Sequence, residues 1–492
     1  MILDREACYR AVKARDSRFD GRLFVGVHST GIYCRPICPA RTPKFENLSF
    51  FTNAAAAQEA GFRPCLRCRP ECSPEIGAWR GTSNTVSRAL ALIGDGFLDG
   101  EADVEALASR LGVGERQLRR LFQKHLGASP ISVAQTRRVH LAKQLIHDTS
   151  MSMVDVALAS GFGSVRRFND TFRTLYKRPP SELRRKHARD PGITITLSYA
   201  PPYDWAAMMD FFAARAIEGV EVVTPERYSR TIAVDGVQGT VSIAPVAGKH
   251  ALAATIAFPN VKALPAIVSR LKRMFDVGAD IRAITAHFKK DPRLAKTIRA
   301  RPGLRVPGSW DPFELAMRAV LGQQVTVAAA RKLAGKLVAL CGKPMPQTAR
   351  AFPGLTHTFP SAKQVAAADL SGLGMPGARI RTLAAVAKAA VSEHDLFSTA
   401  IDLESAVARL CTLPGVGEWT AQYIALRALH EPDAFPASDV GLLRAMDRAL
   451  AKRATADELL DIAKAWRPWR AYAAQHLWTA DATAPAARKK AA

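Results

Sequence analysis

The sequence predicts a multidomain α+β protein, and three features of the chain point to this class. Four of the eight cysteines lie between positions 34 and 68, in a turn-rich region with short aromatic strands. Residues 85–188 follow helical periodicity throughout. Alternation typical of β-strands then extends over 190–258, after which helical patterning returns. At roughly 150 residues per domain, a chain of 492 residues suggests about three domains.

The balance of charges predicts a polyanionic partner. The chain has 69 lysines and arginines against 44 aspartates and glutamates, a formal net charge of +25. Such an excess favours nucleic acid, with a membrane surface or simple solubility as the alternatives. No run reaches the ~18 to 20 apolar residues of a membrane span, and the N-terminal residues lack the apolar segment of a secretory signal. We therefore expect a cytoplasmic protein with no membrane partner.

The clustered cysteines predict a zinc site. Cys34 and Cys38 are separated by three residues, and Cys65 and Cys68 by two. Two thiolate pairs at short spacing can close a tetrahedral Zn²⁺ site, because each pair presents two sulfurs at one turn. The simplest interpretation is structural zinc that stabilises a domain too small to fold alone. The alternative is that zinc keeps one sulfur deprotonated and therefore nucleophilic.

The segments HSTGIYCRPICPAR and AGFRPCLRC resemble the N-terminal domain of Ada-type adaptive-response proteins over residues 1–75. The resemblance implies a small zinc-bound α/β domain in which Cys34 irreversibly accepts a methyl group from a DNA methylphosphotriester. It also places Thr30, Arg41 and Arg67 against the DNA backbone. Methylation would remove charge from the zinc–thiolate cluster and strengthen DNA binding, which gives a physical basis for a switch.

Two segments of the helical middle, 104–127 and 153–180, have the form of a helix-turn-helix. Gly112 and Gly161 suit turns that need a positive φ. The second helix of each segment has arginines, which suit base edges and phosphates in a major groove. These candidate DNA-binding residues are Arg116, Arg119, Arg120, Arg166 and Arg167. An ordinary helical bundle with a solvated basic face is the alternative.

The paired units, followed by KRPPSELRR, resemble the AraC-type DNA-binding domain over residues 84–188. The resemblance implies an all-α double helix-turn-helix domain that regulates transcription by binding promoter DNA. RNA polymerase is then a candidate partner. We predict that a helix over 133–147 links the two units.

The C-terminal half contains a predicted helix-hairpin-helix turn, the motif LPGVG at 413–417. Gly415 and Gly417 are candidate DNA-binding residues, because glycine lets the backbone approach a phosphate and the next helix offers its N-terminal N–H groups. Many proteins use such a hairpin only to hold DNA. Asp439 follows at the predicted start of another helix, where a plain N-cap is the simplest interpretation.

The C-terminal half resembles AlkA-type 3-methyladenine DNA glycosylase II of the helix-hairpin-helix superfamily. The motifs that carry the resemblance include YAPPYDW, RAVLGQQVTVAAARKL, LPGVGEWTAQYIALR and WRPWRAYAAQHLW. It implies a β-rich subdomain over 193–285 and an all-α glycosylase domain over 286–482. It also implies a monofunctional enzyme, because Trp419 stands where bifunctional members have a Schiff-base lysine.

The same resemblance assigns roles to residues of this half. Asp439 takes the catalytic position, and the substrate-binding positions fall on Trp419, Tyr423, Trp478 and Gln324. Alkylation makes a purine cationic, so aromatic faces attract the flipped-out base and a carboxylate can stabilise the oxocarbenium character of the sugar. Gln324 stands where the family inserts a leucine into the gap. A monovalent cation at the hairpin would bind carbonyls of Cys411, Leu413 and Gly415.

Together these patterns predict an alkylation-damage response protein. We expect a monomer that senses methylphosphotriesters, regulates transcription and excises alkylated purines, with alkylated and promoter double-stranded DNA as partners. The alternative is a transcription factor with a structural zinc site and a C-terminal half that only binds DNA.

Overall fold

The computed structural model describes residues 4–74, 84–100, 102–184, 193–346, 352–450 and 452–483. Within these ranges, no helix combines the length and the apolar character that crossing a membrane requires. The predicted class is confirmed, because a small mixed unit, a helical unit, a β-rich unit and a second helical unit follow one another along the chain.

The N-terminal unit is a four-stranded sheet with two short helices. Its elements are α1 (Arg5–Lys13), β1 (Phe24–Val27), β2 (Ile32–Cys34), β3 (Leu48–Phe51), α2 (Ala54–Glu59) and β4 (Arg63–Pro64). The strand order is β3-β1-β2-β4, with β4 parallel to β2 and the other pairs antiparallel. A Cβ on Gly26 would lie 2.8 Å from the ring of Phe62. Glycine in the central strand therefore lets that ring pack across the sheet.

The next unit is wholly helical. Its helices are α3 (Asn84–Gly94), α4 (Val104–Arg110), α5 (Glu115–Leu126), α6 (Pro130–Asp148), α7 (Met153–Ala159) and α8 (Val165–Tyr176). Gly112 and Gly161 have φ values of +68° and +85°, as the two predicted turns require. The predicted linking helix is α6, which begins before residue 133 because Ser129 caps it and Pro130 occupies its first turn.

The third unit is a five-stranded antiparallel sheet of order β5-β9-β8-β7-β6, with one helix between β5 and β6 and a second helix after β9. Its elements are β5 (Ile193–Ser198), α9 (Trp205–Arg215), β6 (Glu221–Val223), β7 (Tyr228–Val234), β8 (Val237–Pro245), β9 (Ala251–Ala257) and α10 (Leu264–Met274). The sheet and the second helix-turn-helix segment belong to one hydrophobic cluster, which contains both Ile195 and Phe168. The second helix-turn-helix segment and the β-rich unit are therefore packed together.

The C-terminal unit is mainly helical. Its elements are α11 (Ile281–Phe288), α12 (Pro292–Ala300), α13 (Pro312–Leu321), α14 (Val327–Cys341), β10 (Lys343–Pro344), β11 (His357–Thr358), α15 (Ala362–Ala367), α16 (Gly377–Ser392), α17 (Leu403–Cys411), α18 (Glu418–Arg427), α19 (Val440–Leu450), α20 (Ala456–Ala463) and α21 (Arg470–Thr483). The core divides into two clusters, one around α13, α16 and α18 and the other around α19 and α21. The apolar hairpin residues Leu413 and Val416 belong to the first of these clusters.

A buried network of charges joins the β-rich unit to α13. Arg230 donates to Glu314 at 2.6 Å, and Arg318 donates to Glu221 at 2.6 Å and to Glu314 at 2.7 Å. Burial opposes ionisation of Glu221, but the two guanidinium groups hold its pKa below its ordinary value. Arg318 also donates to the carbonyl of Arg215 at 2.9 Å. The network thereby fixes the end of α9 against the helical unit.

The buried imidazole of His476 in α21 makes stability depend on pH. Burial lowers the pKa of His476 from 6.5 to about 4, so the unfolded chain binds a proton in this window and the folded chain does not. We expect the free energy of unfolding to fall by up to about 1.4 kcal/mol per pH unit as pH decreases from 6.5 to about 4. Urea titrations should show a shallower dependence for His476→Gln. The exposed His394 offers the control, His394→Gln, which should leave the slope unchanged.

Candidate functional site

The four cysteines predicted to bind metal come together in the N-terminal unit. They are Cys34, Cys38, Cys65 and Cys68, whose Sγ atoms all lie within 4.8 Å of one another. Sulfurs at tetrahedral corners around one zinc ion would be about 3.8 Å apart, given Zn–S bonds of about 2.3 Å. The parallel register of β2 with β4 pairs Tyr33 with Pro64, and the residue that follows each of them in the chain is a cysteine. Donor set and spacing therefore fit a zinc site.

Two backbone amides point at the sulfurs. The N–H of Arg35 donates to Sγ of Cys68 and the N–H of Arg67 to Sγ of Cys65, both at 3.3 Å. Such bonds stabilise negative charge on thiolate ligands and orient them. The four cysteines would hold Zn²⁺, which keeps bound thiolates deprotonated at neutral pH.

The two cysteine pairs differ in accessibility. Cys65 and Cys68 are 7% and 8% exposed, whereas Cys34 and Cys38 are only half-buried. A bulky substrate such as DNA can therefore reach the first pair more easily than the second.

The polar residues predicted to contact the DNA backbone lie on the surface of this unit. Thr30, Arg41 and Arg67 are all exposed. Arg35 and Arg69, which lie near the sulfurs in sequence, instead form ion pairs with acidic residues of the protein. Fewer positive charges are therefore available to phosphates than the number of nearby arginines indicates.

The candidate arginines of the helix-turn-helix segments lie on α5 and α8, and all are exposed: Arg116, Arg119, Arg120, Arg166 and Arg167. Arg119 pairs with Glu115 at 2.6 Å and Arg166 with Asp170 at 3.9 Å, one helical turn apart. Exposed ion pairs of this kind contribute little to stability. A DNA phosphate can therefore replace the carboxylate as the partner of either arginine. The arrangement is suited to insertion of both helices into DNA grooves.

The predicted hairpin connects α17 to α18. Gly415 has a φ of +79°, and a Cβ there would lie 1.9 Å from Oγ1 of Thr382. Gly417 has a φ of −89°, and a Cβ there would meet no atom within 4 Å. The two glycines therefore differ. The fold requires glycine at 415, whereas glycine at 417 leaves the exposed start of α18 uncovered.

This contrast provides a matched pair of substitutions. We expect Gly415→Ala to cost about 1–3 kcal/mol through its positive φ alone, with more from the overlap with Thr382. Gly417→Ala should change the free energy of unfolding by far less. Thermal unfolding of both variants, together with their affinity for duplex DNA, checks this. Equal losses in the two variants would contradict the assigned geometry.

Asp439 lies immediately before α19 and accepts four hydrogen bonds. Its Oδ1 accepts from the N–H groups of Gly441 at 2.9 Å and Leu442 at 3.1 Å, which makes it an N-cap. Indole N–H groups also point at the carboxylate: Trp478 donates to Oδ1 at 2.8 Å and Trp419 to Oδ2 at 2.9 Å. The carboxylate is thus fixed by four donors, and Oδ2 has one bond and a remaining lone pair.

Aromatic side chains surround this carboxylate. Trp419 stacks on Tyr423 with ring centroids 5.4 Å apart, and Trp478 meets Tyr423 edge-on at 6.3 Å. The Arg427 guanidinium lies 5.0 Å from the Trp478 ring centroid and 4.5 Å from that of Phe211. All four rings are partly exposed. They form an aromatic recess suited to a flat, electron-poor ligand.

Buried arginine stiffens the back of the recess. Arg427 is 3% exposed and donates to the carbonyl of Pro307 at 2.9 Å and to Oε1 of Gln475 at 3.0 Å. Burial lowers the pKa of Arg427 to about 10. Although burial opposes phenolate formation, Arg427 and Arg215 hold the pKa of Tyr423 below its ordinary value. A positive charge therefore lies behind the rings.

A loop beside the hairpin carries Gln324. This residue is exposed and has a φ of +57°, a conformation that side chains other than glycine adopt at some cost. The preceding Gln323 donates to the carbonyl of Gly415 at 3.0 Å and to Thr420 at 3.1 Å. The loop is thus fastened to the hairpin while Gln324 remains at its surface.

Sequence reasoning missed several residues of the recess. Phe211 and Arg215 lie on α9 in the β-rich unit, and Arg427 was not distinguished from the many arginines of a basic chain. Gln323 was overlooked in favour of its neighbour. Phe211 and Arg215 lie in the segment FFAARAIEGVE at 211–221, which also resembles the AlkA-type glycosylase and was the available signal for both.

Comparison with known protein families matches four consecutive regions. Residues 7–71 match the metal binding domain of Ada, and 107–186 match a helix-turn-helix domain. Residues 194–311 match the AlkA N-terminal domain, and 317–470 match the HhH-GPD superfamily base excision DNA repair protein.

Individual relatives agree with this order. A protein of Mycobacterium tuberculosis named "probable bifunctional transcriptional activator/DNA repair enzyme AlkA" is 41% identical over 97% of this chain and 96% of its own. DNA-3-methyladenine glycosylase 2 of Escherichia coli is 34% identical over 59% of this chain and 98% of its own. A solved 3-methyladenine DNA glycosylase from Archaeoglobus fulgidus superposes with a TM-score of 0.52 at 23% identity, covering 58% of this chain and 98% of its own. That likeness shows the fold.

Fold and sites together define a DNA-acting protein with a zinc-binding unit, a helix-turn-helix unit and a helix-hairpin-helix base-excision domain. The predicted combination of families is confirmed. The chain belongs to the family of bifunctional transcriptional activator/DNA repair enzymes of the AlkA type.

Proposed function

We propose that the C-terminal half excises alkylated purines of the 3-methyladenine type from DNA as a monofunctional N-glycosylase. One observation supports this most strongly: the Asp439 carboxylate lies at the aromatic recess and is held there by the indole N–H groups of Trp419 and Trp478. The relatives named as 3-methyladenine glycosylases support the same substrate class.

The recess provides the elements that this reaction requires. A flipped-out, positively charged purine is attracted to aromatic faces, here those of Trp419, Tyr423 and Trp478. When the bond from C1′ to the base nitrogen breaks, its electron pair stays with the base and neutralises its charge. The developing positive charge at C1′ lies near the Asp439 anion, which stabilises it. Water then bonds to C1′, and its proton passes to Oδ2 or to solvent.

The experiment for this function uses the purified full-length chain and duplex DNA treated with a methylating agent. Released bases are separated by liquid chromatography and identified by mass spectrometry. We expect free 3-methyladenine and intact abasic strands. A chain that binds the duplex but releases no base would favour the alternative, a C-terminal half that only holds DNA.

We propose further that the N-terminal unit accepts a methyl group from a DNA methylphosphotriester. The Cys34 thiolate would attack the methyl carbon: a C–S bond forms, the C–O bond breaks and the phosphodiester anion leaves. Zn²⁺ held by the four cysteines would keep this sulfur deprotonated. Accessibility supports Cys34 and Cys38 over the buried pair, and the resemblance to Ada distinguishes Cys34 from Cys38. Thr30, Arg41 and Arg67 would hold the backbone phosphates.

We propose that the helix-turn-helix unit directs this signal to promoters. The exposed arginines on α5 and α8 would contact DNA bases and phosphates, and RNA polymerase would be recruited by the bound protein.

We also propose that the protein acts as a cytoplasmic monomer. Light scattering after size-exclusion chromatography should give the mass of one chain, and a dimer mass would contradict it.

We propose finally that the hairpin binds a monovalent cation. Of the carbonyls concerned, that of Leu413 accepts from Val416 N–H and that of Gly415 from Gln323, so each keeps one lone pair for a cation. Duplex affinity in potassium should exceed affinity in a bulky organic cation at equal ionic strength. Equal affinities would contradict the site.

A further inference from the structure

Helix α6 contacts two other units besides joining the two helix-turn-helix segments. The hydroxyl of Tyr33, one residue before Cys34, bonds to Nε2 of His140 at 2.7 Å. On the other side, Gln144 donates to the carbonyl of Thr196 in β5 at 2.6 Å. The helix therefore lies between the zinc-binding unit and the β-rich unit.

The strongest of these contacts involves Lys143. Its side chain is fully buried, and its Nζ donates to the carbonyl of Cys65 at 2.9 Å and to Oε2 of Glu71 at 2.8 Å. Both acceptors belong to the zinc-binding unit, and one is the backbone of a predicted zinc ligand. A buried ammonium is tolerated only when such partners satisfy it, because desolvation costs several kcal/mol.

The network continues back to α6. Glu71 accepts from Nε of Arg69 at 3.0 Å, and Arg69 also donates to Asp148 at 2.9 Å, at the end of the helix. Burial opposes ionisation of Glu71, but Lys143 and Arg69 hold its pKa below its ordinary value. Four charged residues thus link the segment after Cys68 to α6 at two points.

The contacts reach both halves of the cysteine quartet. Lys143 fixes the backbone at Cys65, and His140 fixes the residue that precedes Cys34. These strands are the pair whose register brings the cysteines together. Movement of either strand, for example on loss of a ligand, must therefore strain or break a bond to α6.

We propose that Lys143 is a positioning residue that couples the zinc centre to α6, so that the state of the centre and the stability of the helix holding both DNA-reading segments are linked. The proposal rests on the zinc site and regulatory function proposed above. Linkage is reciprocal: if an intact centre stabilises α6, α6 stabilises the centre. This coupling requires no covalent change in α6 itself.

The test measures zinc release and hydrogen exchange in the zinc-loaded, full-length protein. In the parent protein, removal of zinc by a chelator should increase amide exchange in α6. In Lys143→Met we expect zinc affinity about 10- to 100-fold lower, the range for loss of groups that support metal ligands, with faster zinc release. Exchange in α6 should no longer respond to zinc. Lys13→Met, at an exposed lysine of α1, should behave as the parent.

Two further variants keep the test decisive. Lys143→Arg retains charged donors and should restore part of the zinc dependence. The double variant Lys143→Met with Glu71→Gln leaves no unpaired charge at this point, so it separates lost coupling from misfolding. The proposal would be overturned if removal of zinc left amide exchange in α6 of the parent unchanged. It would also be overturned if removal of zinc changed this exchange as much in the double variant as in the parent.

The outcome is independent of methyl transfer. If the parent protein never becomes methylated on Cys34 but α6 responds to zinc through Lys143, the proposed acceptor is wrong and the coupling stands. If Cys34 becomes methylated while α6 ignores zinc, the coupling is wrong and the acceptor stands.

Discussion

Replacement of Asp439 by asparagine should reduce the single-turnover rate of alkylbase release by about two to three orders of magnitude, the range for loss of one electrostatic group in an active site. The substitution removes the negative charge that faces C1′. It also introduces an amide N–H₂ into a site where every neighbour donates, namely two backbone N–H groups and two indoles. Duplex affinity should change little, because the hairpin is untouched.

The chain offers a closely matched control for this substitution. Asp291 also caps a helix, accepting from Arg293 N–H at 2.9 Å, and also accepts an indole N–H, that of Trp466 at 2.7 Å. Asp291→Asn should therefore reproduce the structural consequences without the catalytic ones. Base release at the parental rate in Asp439→Asn would remove the catalytic assignment. Equal losses of rate in Asp439→Asn and Asp291→Asn would show that the loss at Asp439 is a structural effect and not a catalytic one.

Replacement of Cys34 by serine should abolish methyl incorporation from DNA containing methylphosphotriesters. A serine hydroxyl stays protonated at neutral pH, whereas a zinc-bound thiolate is a nucleophile. Intact-protein mass spectrometry should show the parent gaining one methylene mass while the variant gains none. Three thiolates remain in the variant, so the fold of the unit should be weakened rather than lost.

The control is Cys72→Ser, because Cys72 lies close in sequence to the quartet but outside it. This variant should become methylated at the parental rate. Fragment ions from the methylated parent distinguish Cys34 from Cys38, the other half-buried member of the pair. A methyl group on Cys38, or continued methylation of Cys34→Ser, would contradict the assignment.

The extent to which sequence predicted these sites follows from how each is built. Cysteine spacing predicted the metal site, because two short loops each present two sulfurs. It did not distinguish accessible from buried sulfurs. That distinction depends on which strand pairs with β2, and β4 follows it only after another strand and a helix.

The aromatic recess was predicted in part for a similar reason. Trp419 and Tyr423 lie four residues apart on one helix, so their stacking follows from helical geometry. The approach of Trp478 and Asp439 to them, and of Phe211 from the β-rich unit, depends on packing between elements far apart in the chain. The family resemblance identified the first four of these residues, but not the hydrogen bonds among them.

By itself the sequence determined the order of the units, the zinc-binding quartet, the two helix-turn-helix segments and the glycine-containing hairpin. These depend on spacing and periodicity over short stretches, which local backbone geometry converts directly into structure. Only the tertiary structure decided that Lys143 and Arg427 are buried. In sequence, each is one cation among 69 lysines and arginines. A charge becomes a structural or functional group when desolvation and specific acceptors surround it, and those acceptors come from distant parts of the chain.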